Sequence, residues 1–429
     1  MKLGGVLAKS CSGAWGIAAM RRRTVRRVVS ALLGFILSAA AGAADLRGHW
    51  VGTWACAPQL AEPANRPPVP GLAGATLRQI VHVSIGGKKV RVRLSNEFGD
   101  AAVSLVSVHL APSAGSGAIG RGTDHPLTFG GAPAITIPAG APTVSDELDF
   151  DLAPLSDVAI TIQFKDTTRD ITAHPGSRTT SFLQRGDFVS APVLPDPVKI
   201  DHWYFIEGLD VLAENTSTGA VVVLGDSITD GRGSTTNGND RWPDLLARRL
   251  QADPAAPGLA VLNQGIGGNR LLRDGLGPSA LTRFDRDVLA QAGVRWLIVF
   301  EGVNDLGTAV AARARGQPAA TAEDIIACYE QFIARAHARG IRVFGATITA
   351  FDGFTAYFSP ESESARQAVN RWIRTSGKFD SVIDFDQVTR DPEKLSHLAP
   401  AVDGGDHLHP SASGYRVMAE AIDLGIFRK

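Results

Sequence analysis

Two rhythms of apolar and polar residues divide this chain of 429 residues. From Trp50 to about Ala213 the rhythm is short-range alternation. Thr76-Leu77-Arg78-Gln79-Ile80-Val81-His82-Val83-Ser84-Ile85 alternates, Gly86-Gly87-Lys88-Lys89 reads as a turn, and Val90-Arg91-Val92-Arg93-Leu94-Ser95-Asn96 alternates again. Together they predict a hairpin. Proline and glycine clusters separate further strands expected at 103–110, 134–137, 147–152, 158–164 and 180–183. Many short strands with no long helical pattern predict an all-β, antiparallel, jelly-roll-like sandwich with one face of each sheet wet. Residues 112–123 read as a surface loop, 203–206 as a candidate last strand, and 214–219 as a polar linker.

From Ala220 the rhythm changes. Short apolar runs at 220–224, 260–264, 296–301, 342–347 and 381–385 alternate with helical patterns at 242–251, 280–290, 322–339, 362–376 and 411–422. A continuous apolar run rich in β-branched residues, such as Ala220-Val221-Val222-Val223-Leu224, suits a strand buried on both faces. The alternation predicts βαβ units and a parallel sheet covered by helices on both sides. Right-handed crossovers would bring the strand ends to one edge.

A third pattern precedes both. Arg21-Arg22-Arg23-Thr24-Val25-Arg26-Arg27 leads into the apolar run 28–41 and then Ala41-Gly42-Ala43-Ala44. A basic start, a short apolar core and small residues at the end predict a cleaved export signal. A membrane anchor is the alternative, but about 14 apolar residues fall short of the roughly 20 that a span needs. The expected organisation is therefore a leader at 1–44, a β-sandwich at 45–213 and an α/β domain at 214–429, in a protein secreted or periplasmic.

Composition adds exclusions. Formal net charge is zero and charged residues make up 20%, which gives no electrostatic case for nucleic acid or an anionic membrane surface. Cysteines occur at 11, 56 and 328 only. Export permits a Cys56–Cys328 disulfide, and two separate buried thiols fit as well. No Cys/His grouping has metal-ligand spacing, so no structural metal is expected.

Four polar blocks fall at strand ends or loops of the second region: Gly225-Asp226-Ser227, Asn263-Gln264-Gly265-Ile266-Gly267-Gly268-Asn269, Gly302-Val303-Asn304-Asp305 and Asp406-His407-Leu408-His409. Acyl transfer needs a nucleophile, a base, a group that orients the base, and donors for a developing oxyanion. Ser227 suits the first role, His409 the second and Asp406 the third. The backbone N–H groups of Ser227 and Gly268 and the Asn304 amide suit the fourth. Asp226 reads as a turn former and Asp305 as a helix N-cap. Trp242 and Trp296 read as core. Asn263 and Asp230 are candidates for bracing the loops. Thr172-Ala173-His174-Pro175-Gly176-Ser177-Arg178 reads as a surface loop, with a cleft lining by His174 and Arg178 as the alternative.

These blocks, in this order, resemble the GDSL/SGNH hydrolase superfamily over roughly 220–425. The resemblance implies a flavodoxin-like three-layer α/β/α fold without metal or organic cofactor. Position by position it makes Ser227 the nucleophile, Asp406 and His409 its partners, and Gly268 and Asn304 oxyanion residues. Gly265 and Gly267 are alternatives to Gly268, which is favoured by standing five residues after Asn263; His407 is the alternative to His409. The implied activity is serine esterase chemistry, with short acyl groups on a carbohydrate as the expected substrate. A lipase or thioesterase for longer chains, with the aromatic run Phe351, Phe354, Tyr357 and Phe358 as acyl channel, is the rival enzyme. A non-catalytic carbohydrate-binding envelope protein is the rival from another class.

Overall fold

The computed structural model describes residues 48–256 and 258–428; the leader expected at 1–44 lies outside them. The five strands expected in the second region form one parallel sheet: Gly219–Gly225, Leu259–Gly265, Val294–Phe300, Arg342–Ala346 and Ser381–Ile383. Their order across the sheet is second, first, third, fourth, fifth, the flavodoxin-like order.

Successive side chains of a strand point to opposite faces, and here both faces are covered. Val221 and Val223 join a core with Trp242, Leu246 and Met418, from helices Trp242–Ala252 and Ala412–Glu420. Ala220, Val222 and Leu224 join another with Phe332 and Val369, from helices Ala322–His337 and Pro360–Thr375. That is why the run carries no polar residue. The result is a three-layer α/β/α arrangement. The helices Val303–Ala314 and the short Phe385–Thr389 were not expected from the sequence. The helix expected at 280–290 is divided into an α-helical Ala280–Phe284 and a π-helical Asp285–Leu289.

The N-terminal region is antiparallel and β-rich. One sheet runs His49–Ala55, Ile206–Ala213, Gly87–Ser95, Leu148–Leu152; a larger one includes Ser181–Arg185, Ala75–His82, Asp157–Phe164 and Val103–Gly115. Their inward side chains, Val51, Val92 and Leu209 from the first and Leu77, Ile160 and Val108 from the second, belong to one core.

The hairpin expected at 76–96 does not form, because Ala75–His82 and Gly87–Ser95 lie in different sheets. Thr53 accounts for this. Its carbonyl accepts from both the backbone N–H and the hydroxyl of Ser84, at 2.9 and 2.6 Å. Its own hydroxyl donates to the Ile85 carbonyl and accepts from the Ile85 N–H, at 2.6 and 2.9 Å. The chain is captured by the His49–Ala55 strand before it can fold back. Residues 112–123 are likewise not simply a loop: Val103–Gly115 runs through them and pairs with Ala118–Ile119. The last strand of the region is Ile206–Ala213, reached through Phe205 at φ 59°.

Residues from His49 onward form one compact unit. Leu259–Gly265 is an edge of the parallel sheet, and an open edge invites unwanted pairing. The β-rich region covers it. The Val261 N–H donates to Ser84 Oγ at 3.1 Å, and a Cβ added to Gly52 would come within 2.8 Å of Leu262. Cys56 and Cys328 are both buried free thiols. Among the described residues no helix is long and apolar enough to cross a membrane.

Candidate active site

The site grows from the carboxyl ends of the first and third strands, which flank the point where the sheet reverses its winding. Open α/β sheets leave a crevice at such a point. Gly225 ends the first strand; a Cβ there would lie 2.1 Å from Thr229 Oγ1. Asp226 then accepts the Ile228 N–H at 2.8 Å and caps the single helical turn Ser227–Asp230. The turn presents Ser227 at its start.

Ser227 Oγ lies 2.9 Å from His409 Nε2, and His409 Nδ1 lies 2.7 Å from Asp406 Oδ2. Asp406 Oδ1 also accepts the backbone N–H groups of His409 and Leu408, at 2.8 and 3.1 Å. One carboxylate thus fixes both the loop and the ring. Ser227 and His409 are each 7% exposed. Burial holds His409 below the ordinary histidine value, against the raising effect of Asp406, and the charges of Arg232 and Arg178 act in the same direction as burial. Burial would raise Asp406, but the backbone and ring N–H groups of His409 hold it below the usual carboxylate range. The pair is set as neutral imidazole and carboxylate, the state a proton acceptor needs.

Three donors border the same cleft. Asn304 stands in the first turn of Val303–Ala314. Tyr357 donates its hydroxyl proton to Asn304 Oδ1 at 2.8 Å, and Asn304 Nδ2 donates to the Asn269 carbonyl at 2.8 Å. The amide is therefore oriented from both ends, with one of its two N–H bonds left over. Tyr357 can approach because Gly307 has no side chain; a Cβ there would sit 2.1 Å from the ring. Gly268 holds φ at 69°, a conformation that favours glycine. Among the described residues no acceptor meets the N–H of Ser227 or of Gly268. The cleft measures about 250 Å³, and Leu276, Phe354, Tyr357 and Leu408 supply its apolar wall.

Residues 223–417 match the model of the GDSL-like lipase/acylhydrolase family. Those residues form a GDSL-like domain. Solved structures similar to it include an acetyl xylan esterase variant from Geobacillus stearothermophilus, at 22% identity, covering 49% of this chain and 97% of that one with TM-score 0.38. Another is a GDSL-like lipase from Bacteroides thetaiotaomicron, at 20% identity, 48% and 87% coverage and TM-score 0.36. No protein of curated function matches the chain.

Around the GDSL-like site, several sequence expectations change. His407 does not approach Ser227; it pairs with Asp403 at 2.6 Å on the surface. Asp305 is not the N-cap of its helix, a place taken by Gly302. Its carboxylate instead accepts the Leu271 N–H at 2.8 Å, and burial pushes it up to about 6. Asp226 supports the turn, and burial raises it as well. Asn263 braces the loop as expected, donating to the Thr229 carbonyl at 2.8 Å and accepting the Gly265 N–H at 2.9 Å. Of the aromatic run, Phe354 and Tyr357 line the cleft, whereas Phe351 is fully buried in the core and Phe358 packs against it. Trp242 and Trp296 are core.

The largest revision concerns 172–178, which is not a surface loop. His174 is 4% exposed; its Nε2 lies 3.0 Å from Asp230 Oδ1 and its Nδ1 2.9 Å from the Ala57 carbonyl. Gly176 leaves room for the same carboxylate, since a Cβ there would be 1.8 Å from Asp230 Oδ2. Arg178 then lines the cleft with Ser227 and His409. No periodicity marks these residues, because Asp230 lies 56 positions away in sequence. Among the described residues, no group of His, Cys, Asp and Glu has a metal-ligating arrangement.

Proposed function

We propose that this protein is an exported serine esterase acting through an acyl-Ser227 intermediate. The reading rests on the chain of contacts from Ser227 Oγ through His409 to Asp406, 2.9 and 2.7 Å, opening on the cleft. Ser227 Oγ attacks the ester carbonyl while its proton passes to His409 Nε2. The tetrahedral oxyanion takes donors from Ser227 N–H, Gly268 N–H and Asn304 Nδ2. Its collapse expels the alcohol, protonated by His409, and leaves the acyl group on Ser227. Water, deprotonated by His409, then releases the acid. An alcohol in place of water would make the same steps an acyl transfer.

A cleft of about 250 Å³ with an apolar wall favours a short acyl group such as acetyl. A carbohydrate ester outside the cytoplasm is the substrate class proposed, with the basic and apolar pattern at 21–44 supporting export. Hydrolysis of 4-nitrophenyl acetate by the parent and by Ser227→Ala is the test. Activity lost in the variant supports the reading; equal rates in both end it. A chain-length series separates short-acyl from lipase-like chemistry, since a maximum at eight carbons or more would replace the first with the second.

A further inference from the structure

Two arginines share the cleft with the catalytic serine. Arg178 enters from the β-rich region and Arg232 from the segment just after the Ser227 turn. Among the described residues neither guanidinium has an ion pair or a side-chain hydrogen bond, although arginine–carboxylate pairs are frequent elsewhere among them. Most arginines that border buried surface here are paired; Arg283, Arg286, Arg366 and Arg374 each hold carboxylates. The cleft's own carboxylate, Asp406, is engaged by His409.

Arg178 is more than a loose surface charge. Its Nε is buried and has no hydrogen-bond partner, and an unsatisfied buried donor is costly. Its backbone is held at φ 51°, strained for a residue with a Cβ. Both sides of the residue are fixed. The Asn237 N–H donates to the Arg178 carbonyl at 2.9 Å, and Asn237 Oδ1 accepts the Thr180 N–H at 2.8 Å. On the other side His174 and Gly176 clamp Asp230, in the turn that carries Ser227. Strain kept in place by surrounding structure, around an unpaired cation facing a cleft, is a feature of binding sites.

We infer that Arg178 and Arg232 bind an anionic group of the substrate, so that the preferred ester carries a carboxylate or like anion close to the scissile bond. This rests on the esterase reading above and narrows its substrate class. The anion has two possible sources, the acyl part or the alcohol part. A planar guanidinium receives a carboxylate from either side.

Two pairs of substrates test it, each a free acid beside its methyl ester: 4-nitrophenyl hydrogen adipate for the acyl side, and an O-acetylated galacturonic acid glycoside for the alcohol side. In at least one pair kcat/KM should favour the acid by roughly tenfold at low salt. That preference should shrink at about 0.5 M NaCl, where screening is strong, and approach parity in Arg178→Gln/Arg232→Gln. The salt series needs no variant and so survives a folding failure. The pair that shows the preference identifies the source. Parity in both pairs, with turnover still dependent on Ser227, overturns the anion site and leaves the esterase standing. A preference unchanged by salt and by the double substitution overturns it too. Turnover retained by Ser227→Ala ends both readings.

Discussion

Two histidine–aspartate pairs stand in the neighbourhood of Ser227, one within the α/β region and one joining it to the β-rich region, and they differ in kind. His409 and Asp406 are three residues apart on one loop, and the ring's other nitrogen meets the Ser227 hydroxyl at 2.9 Å. His174 and Asp230 come from different regions and are 4% and 3% exposed in their side chains. There the ring's other nitrogen meets a backbone carbonyl. The first pair leaves one nitrogen for a reacting proton. The second spends both on the protein. In the proposed esterase the same ring-to-carboxylate contact would serve chemistry in one place, while it holds two regions together in the other, and what decides is the group at the far nitrogen.

Exchange of roles under mutation would break this contrast. His409→Ala should lower kcat roughly ten-thousandfold or more, with a thermal midpoint near that of the parent. Steady-state kinetics and a melt on the same preparation check both halves. Asn304→Ala comes next, at about a hundredfold to a thousandfold in kcat. Tyr357→Phe should retain most activity, because the Asn269 contact still orients the amide. An Asn304→Ala enzyme as active as the parent would remove the side chain from the oxyanion site.

His174→Ala should show the opposite balance. Leaving a buried hydrogen-bonding group without its partner costs about 1–3 kcal/mol, here Asp230 Oδ1, and the ring also stacks on Trp203 at 5.7 Å. Denaturant unfolding should show the loss, while kcat falls by about tenfold as the Ser227 turn loosens. A variant as inactive as His409→Ala yet undiminished in stability would place His174 in the chemistry.

The contrast also separates what the sequence made legible from what it did not. Ser227, Asn304 and His409 could be read because each follows a local pattern: an apolar strand ending in glycine, or a polar loop before a helix. The parallel sheet was legible for the same reason, its strands being apolar on both faces. His174 and Arg178 were read first as a surface loop and only second as cleft lining, the place Arg178 takes, since nothing local marks the contact of His174 with Asp230 from the other region. The false hairpin at 76–96 has a similar origin, because alternation identifies strands but not the sheet they join, and Thr53 chose the sheet. The helix Val303–Ala314 is faint in the sequence for another reason. Gly307 lowers its helical propensity, yet Tyr357 occupies the space a side chain would need.

The smallest expected effect probes both regions at one atom pair. Burial holds His409 below the usual histidine value near 6.5, so kcat/KM of the free enzyme should fall only as pH drops below that value. Arg178, with Arg232 of the α/β region, acts on this limb in one direction and Asp406 in the other. A cation disfavours the imidazolium and a carboxylate favours it. Replacing Arg178, from the β-rich region, by glutamine removes a lowering charge, so the acid limb should move to higher pH. Asp406→Asn, in the α/β region, removes a raising one, so whatever activity remains should show its limb at lower pH. Each curve, measured with 4-nitrophenyl acetate to keep substrate charge out of the comparison, reports a direction independent of the absolute rate. A limb that stays in place in the Arg178 variant would mean that this charge does not set His409, and an upward move in Asp406→Asn would remove the carboxylate as the raising charge.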